Sequence, residues 1–139
     1  MRDKAILLAV DLLMLPYIWG AQDPKDGFDC SGFCNFIAWN AGILPKDRDL
    51  WTQKWYEHLK EKELLDIHRG CFLFYGKDKD SIVHMMMALN DKACIGAVRG
   101  NRWMTTPQKA AQRHARIDVR PVNYRPDMVA VCDPFKEVI

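Results

Sequence analysis

The chain has 139 residues, 49% of them hydrophobic, which suits one domain with its own core and excludes wholesale disorder. Lys and Arg total 20 against 18 Asp and Glu, and the net charge of +2 implies no polyanionic partner by itself. The five cysteines, Cys30, Cys34, Cys71, Cys94 and Cys132, form no CxxC. A disulfide framework and a zinc site of the usual ligand spacing are therefore poorly supported, and thiols in a reducing compartment fit better.

The N-terminal stretch "MRDKAILLAVDLLML" has a basic start and an apolar run, but Asp11 interrupts the run and no clean small-residue cleavage site follows. Ile6, Leu7, Val10, Leu13 and Met14 follow helical spacing, so a first helix of about ten residues is predicted, ending before Pro16. No apolar run approaches the ~20 residues of a membrane span. The expectation is synthesis in the cytoplasm without a signal peptide. "YIWGAQDPKDGFD" reads as a loop, and "CSGFCNFIAWNAG" as a buried helix with Asp29 as N-cap and Gly42 as its stop. Trp51, Trp55 and Leu59 recur every four residues and predict a third helix with its tryptophans in the core.

The second half changes period. "CFLFY" is a short buried strand, and "IVHMMMAL" and "ACIGAV" form an antiparallel hairpin across Asn90-Asp91-Lys92. Thr106 and Pro107 open a short helix, and "RIDVRPV" and "DMVAVC" give two more strands. Helices first and strands after is the α+β pattern, in one domain over residues 1–139. Between Arg99 and Arg125 seven basic residues meet only Asp118. The bland reading is a solvated face and the sharper one a patch for an anionic surface. No nucleic-acid module is visible, so none is expected as a partner.

Cys30 is the first candidate for chemistry. A thiol attacks only as thiolate, and a helix N-terminus or a neighbouring imidazolium lowers its pKa. The Cys30 N–H falls in the first helical turn, where it has no partner and is available to an oxyanion. His84 is the matching candidate base, because it lies inside an apolar strand and so needs a polar partner. His58, His68 and His114 read as surface residues. From the residues alone, a Cys30–His84 catalytic pair stands beside a core cysteine and a satisfied core histidine. Cys34, one turn on, reads as packing.

The stretch "LPYIWGAQDPKDGFDCSGFCNFIAWNAGILP" resembles the signature of the NlpC family of bacterial cell-wall cysteine peptidases, a PYxWGG-type loop followed by DCSGF and a helix ending in Gly. "HRGCFLFYGKDKDSIVHMMMAL" is similar to that family's Gly-Asp-Leu-x-Phe strand and its His-led strand. The resemblance implies a papain-like α+β fold, with helices carrying the nucleophile packed on an antiparallel sheet. It implies Cys30 as nucleophile and His84 as general base. It also implies Tyr17, Asp29 and Ser31 as residues lining the pocket for the amine end of a wall peptide.

Three positions depart from the pattern. Ala21 replaces the second loop glycine, and Cys71 stands where an Asp is usual. Gly96 falls where the family's third polar residue orients the histidine, so a backbone carbonyl, a water or Asn101 would have to act instead.

The implied activity is hydrolysis of an amide in the peptidoglycan stem peptide, such as that between D-Glu and the diamino acid, through a thioester and without cofactor or metal. A phage-encoded enzyme or a toxin delivered by a secretion system fits, acting in the periplasm or wall, with anionic wall polymer on the basic C-terminal region. The alternatives are a cytosolic thiol amidase or acyltransferase and a non-catalytic phage structural module.

Overall fold

The computed structural model describes residues 1–137. Helix α1 (Arg2–Asp11) leads through a two-stranded ribbon, β1 (Gln22–Asp23) and β2 (Gly27–Phe28), to α2 (Cys30–Ala41) and α3 (Thr52–Leu59). Five strands follow: β3 (Phe72–Gly76), β4 (Ile82–Ala88), β5 (Ala93–Val98), β6 (Arg116–Pro121) and β7 (Met128–Cys132), with α4 (Pro107–Arg113) between β5 and β6. They form one antiparallel sheet in the order β6-β5-β4-β3-β7. The predicted α+β order of elements is the observed one.

The sheet is apolar on both faces, which explains why its central strands read as unbroken hydrophobic runs rather than alternating ones. One face takes Phe72, Phe74, Met85, Met87 and Ile95 into a core with Phe33 and Ile37 of α2 and Trp55 of α3. The opposite face buries Leu73, Tyr75, Met86, Ala88 and Cys94 beneath Leu64, Ile67, Val122 and Tyr124, which lie outside the strands. At roughly 25 cal/mol per Å² of apolar surface, this double burial is the main source of stability. Among the described residues no helix is long and apolar enough to cross a membrane.

The spacing of α1 left its inner face open, and one packing expectation, in α3, needs correction. Helix α1 buries Ala5 and Ala9, with Leu12 just beyond it, and leaves Leu7, Val10 and Met14 exposed. Small alanines let α1 approach its neighbours closely, so the larger apolar side chains do not mark its inner face. In α3, Trp55 and Leu59 are buried, but Trp51 is 58% exposed. Trp51 sits at the N-cap in extended conformation (φ −87°, ψ 173°), so the helical repeat does not reach it.

Candidate active site

The site is built around the start of α2. Asp29 is extended there (φ −87°, ψ −177°), and one carboxylate oxygen accepts the Gly32 N–H at 2.7 Å, the capping bond foreseen for it. The other accepts the Gly20 N–H at 2.9 Å, and Ser31 Oγ lies 3.4 Å from the first. The Asp29 N–H in turn donates to the Ala21 carbonyl at 3.1 Å. A single carboxylate thus ties the aromatic loop to the helix. Gly32 is needed for this closeness, because a Cβ there would collide with the Ala21 carbonyl oxygen and stand 2.8 Å from Asp29 Oδ1.

Tyr17, Asp29, Cys30 and Ser31 line one cleft of about 230 Å³, with the exposed Trp19, Trp51 and Val83 beside them. His84 is not among its walls; it is 8% exposed. Its strand nevertheless comes to Cys30: the Met85 backbone N–H lies close enough to the Cys30 sulfur to favour its thiolate. The β4–β5 ladder pairs only Met87 with Ile95 and Ala88 with Cys94, so the strands part where Cys30 approaches. The thiol and the His84 ring form no hydrogen bond to each other among the described residues.

The titration states differ from the thiolate–imidazolium picture. Burial, and then the Asp29 charge, push the Cys30 thiol up to about 12, against backbone N–H donors from Met85, Ser31 and Cys30 itself. Burial, and then Arg125, push the His84 imidazole down to about 3, against an upward pull from Asp127. The helix-end donors are present, but burial outweighs them. At neutral pH both groups rest uncharged. Burial raises the Asp29 carboxyl, while the Tyr17 phenol is raised by burial and then by Cys30 and Asp29. Tyr17 thereby belongs to the same electrostatic cluster.

The partner of His84 is Tyr124, whose hydroxyl lies 2.6 Å from Nε2. Neither Gly96 nor Asn101 provides it. A Cβ on Gly96 would stand 2.6 Å from Met86 Sδ, so Met86 already fills that space. Asn101 Oδ1 accepts the Trp103 N–H at 2.9 Å within a turn. Tyr124 gave no motif signal in "VNYRPD"; the only hint was the vacancy at Gly96.

Asn35 was also missed. Buried in α2, it accepts the Trp55 indole N–H at 2.9 Å and donates to the Leu50 carbonyl at 3.0 Å, locking α3 beside the cleft. A second departure meets a similar answer. Beside Cys71 lies the buried Asp133, bonded by Arg2 at 3.0 and 3.1 Å and by His68 Nε2 at 2.9 Å. His68, Cys71 and Asp133 bring ligand atoms within 4.8 Å of one another, but the Arg2 guanidinium occupies both carboxylate oxygens. His68 is thus exposed, as foreseen, yet paired.

Residues 14–120 match the sequence model of the NlpC/P60 family. The chain belongs to the NlpC/P60 family. It is 33% identical over 103 residues to a gamma-D-glutamyl-L-lysine dipeptidyl-peptidase of Bacillus cereus, covering 72% of this chain and 29% of that protein. The chain spans no more than about a third of the curated relatives it matches.

In three dimensions it is similar to an NlpC/P60 family protein from Bacillus cereus (TM-score 0.72, 23% identity, 98% of this chain and 41% of that one). It is also similar to the NlpC/p60 domain of the peptidoglycan hydrolase SagA (TM-score 0.70, 20% identity, 96% and 98%). The fold is the papain-like α+β fold of the NlpC/P60 family, with the nucleophile-type helix packed on an antiparallel sheet.

Proposed function

We propose that the chain is a single catalytic domain over residues 1–139 that hydrolyses amide bonds in peptidoglycan stem peptides. The bond is of the type joining D-Glu to a diamino acid, the type that the name of the Bacillus cereus relative also points to. One observation carries the reading: Cys30 opens α2 inside a cleft, with its sulfur against the backbone of the strand that bears His84.

In this reading Cys30 is the nucleophile and His84 the general base. His84 takes the thiol proton as the sulfur attacks the carbonyl carbon, and the Cys30 N–H faces the oxygen that gains charge. The proton then passes to the leaving amine, the C–N bond breaks and a thioester remains. Water adds to the thioester, the acid leaves and the thiol is restored. Tyr17, Asp29 and Ser31 hold the amine end of the peptide. The protein acts at the wall or periplasm after phage- or secretion-system-assisted delivery.

A contact with anionic wall polymer is confined to part of the basic run. Asp118 pairs with Arg116 and Arg120, and Asp127 with Arg125. Arg99, Arg102, Lys109 and Arg113 remain without a carboxylate partner among the described residues.

The test is incubation of the purified protein with peptidoglycan and mass spectrometry of the fragments, beside Cys30→Ala and His84→Ala. Stem-peptide fragments are expected from the wild type alone. Equal release by both variants would remove the catalytic assignment. A non-catalytic module is the second reading, favoured by the thiol held near 12 and the missing thiol–imidazole bond. It predicts no fragments and no selective alkylation of Cys30 near pH 7. Selective alkylation without wall cleavage would point to a thiol amidase or acyltransferase with another substrate.

A further inference from the structure

We propose that Tyr124 is the positioning residue of His84, supplying from outside the strand the orienting hydrogen bond that Gly96 cannot. The inference rests on the proposed chemistry for its consequence, though not for its geometry. His84 is buried, so a ring nitrogen without a partner would carry an uncompensated desolvation cost. Tyr124 Oη at 2.6 Å meets that need at Nε2 and leaves Nδ1 as the remaining nitrogen. With the Nε2–H donating to the phenol oxygen, the lone pair sits on Nδ1, where a base needs it.

The phenol is held from several sides. The Val122 N–H donates to the Lys92 carbonyl at 2.8 Å, and the Val122 carbonyl accepts the Tyr75 hydroxyl at 2.9 Å. The Tyr124 N–H closes a turn on the Pro121 carbonyl at 3.0 Å. Its ring stands edge-on to Tyr75 at 5.7 Å, and Tyr75 lies 5.6 Å from the His84 ring. Arg125, fixed on Asp127, lies over the Tyr75 ring at 5.7 Å. The imidazole therefore sits among Tyr75, Tyr124, Arg125 and Asp127.

The slot beside Gly96 is filled. Met86 Sδ occupies it, so no polar group can enter from β5 without displacing that side chain. Burial, then the neighbouring Cys94 charge, hold the Tyr124 phenol protonated. The neutral hydroxyl holds the ring plane, and in the proposed arrangement it accepts from Nε2–H; it supplies no counter-charge to an imidazolium, unlike the carboxylate of a Ser-His-Asp triad.

The test compares wild type, Tyr124→Phe, and Tyr124→Phe carrying Met86→Ala and Gly96→Asn, which reopens the slot and places an amide there. Tyr124→Phe keeps the ring packing. Its kcat for stem-peptide cleavage should fall about ten- to a hundredfold with KM unchanged. The triple variant should regain part of that loss.

Nitrogen-15 NMR of His84 reads the same claim without activity. The wild type should show one neutral tautomer protonated at Nε2, and Tyr124→Phe a mixture. Identical His84 spectra in the two proteins, or wild-type kcat in Tyr124→Phe, would overturn the proposal. A changed tautomer in a protein that cleaves no peptidoglycan would support Tyr124 while removing the functional reading.

Discussion

The start of α2 and the segment after β6 both reach the proposed Cys30–His84 pair, but by different means. At the start of α2, neighbours in sequence are neighbours in space: Asp29 caps the helix that Cys30 opens and holds Gly20 only nine residues upstream. After β6, the side-chain contacts that matter here reach far along the chain. Tyr124 reaches His84 across 40 residues, and Asp133 reaches Arg2 across 131. Local geometry makes the first region rigid and recognisable. The second depends on the finished sheet, and so can supply groups that the strands have lost.

The largest effect expected from disturbing this contrast is Gly32→Ala. In an open helix the change would gain up to about 1 kcal/mol from propensity. Here the new methyl collides with the Ala21 carbonyl oxygen and stands 2.8 Å from Asp29 Oδ1. Helix and loop must separate, and a loss of about 3 kcal/mol is expected. Urea denaturation measures it, and stability at or above wild type would show that the loop yields freely. The Asp29 bond to the Gly20 N–H should open with the loop, so thiol reactivity is expected to change as well.

How much was legible follows the same division. Asp29 as N-cap, Gly42 as stop and the Thr106–Pro107 helix start were readable because each acts within a few residues. The strands were readable because β-branched, aromatic and methionine runs end at turn residues. The inner face of α1 was not, since close helix contact selected Ala5 and Ala9 over larger neighbours. Trp51 was misplaced because periodicity carries no information about where a helix begins. Tyr124, Asp133 and Asn35 depend on tertiary contacts with no local pattern. At the site, Tyr17, Asp29, Cys30 and Ser31 do share a cleft, but the raised thiol and depressed imidazole follow from burial, which spacing cannot report.

That depressed imidazole gives the next effect in size. The unfolded chain protonates His84 near the ordinary value of 6.5, whereas the native ring resists until about 3. Its contribution is therefore complete above pH 6.5 and is lost as pH falls between 6.5 and 3. At pH 5 the loss should be about 2 kcal/mol. His58, also lowered by burial, acts in the same window, so the difference between wild type and His84→Gln isolates the term. Denaturant titrations at pH 7 and pH 5 should show a smaller drop in the variant. An equal drop in both would mean that the native ring accepts a proton readily.

The smallest expected effect concerns what holds Tyr124 in place. Arg125 grips Asp127 through two bonds, at 2.9 and 2.7 Å, yet both side chains are about a third exposed. Such a pair contributes no more than about 1 kcal/mol after solvent screening. The backbone bonds of Val122 and Tyr124 and the Gly76 N–H to the Asp127 carbonyl remain whatever the side chain at 127. Asp127→Ala should therefore lower stability by up to about 1 kcal/mol and leave the His84–Tyr124 bond intact. It removes a negative charge that favours protonated His84 and frees Arg125, which opposes it, so the imidazole moves further down. The His84 nitrogen-15 spectrum should keep its single tautomer in this variant. A mixed tautomer, or a loss above about 2 kcal/mol, would mean that the ion pair and not the backbone fixes the segment.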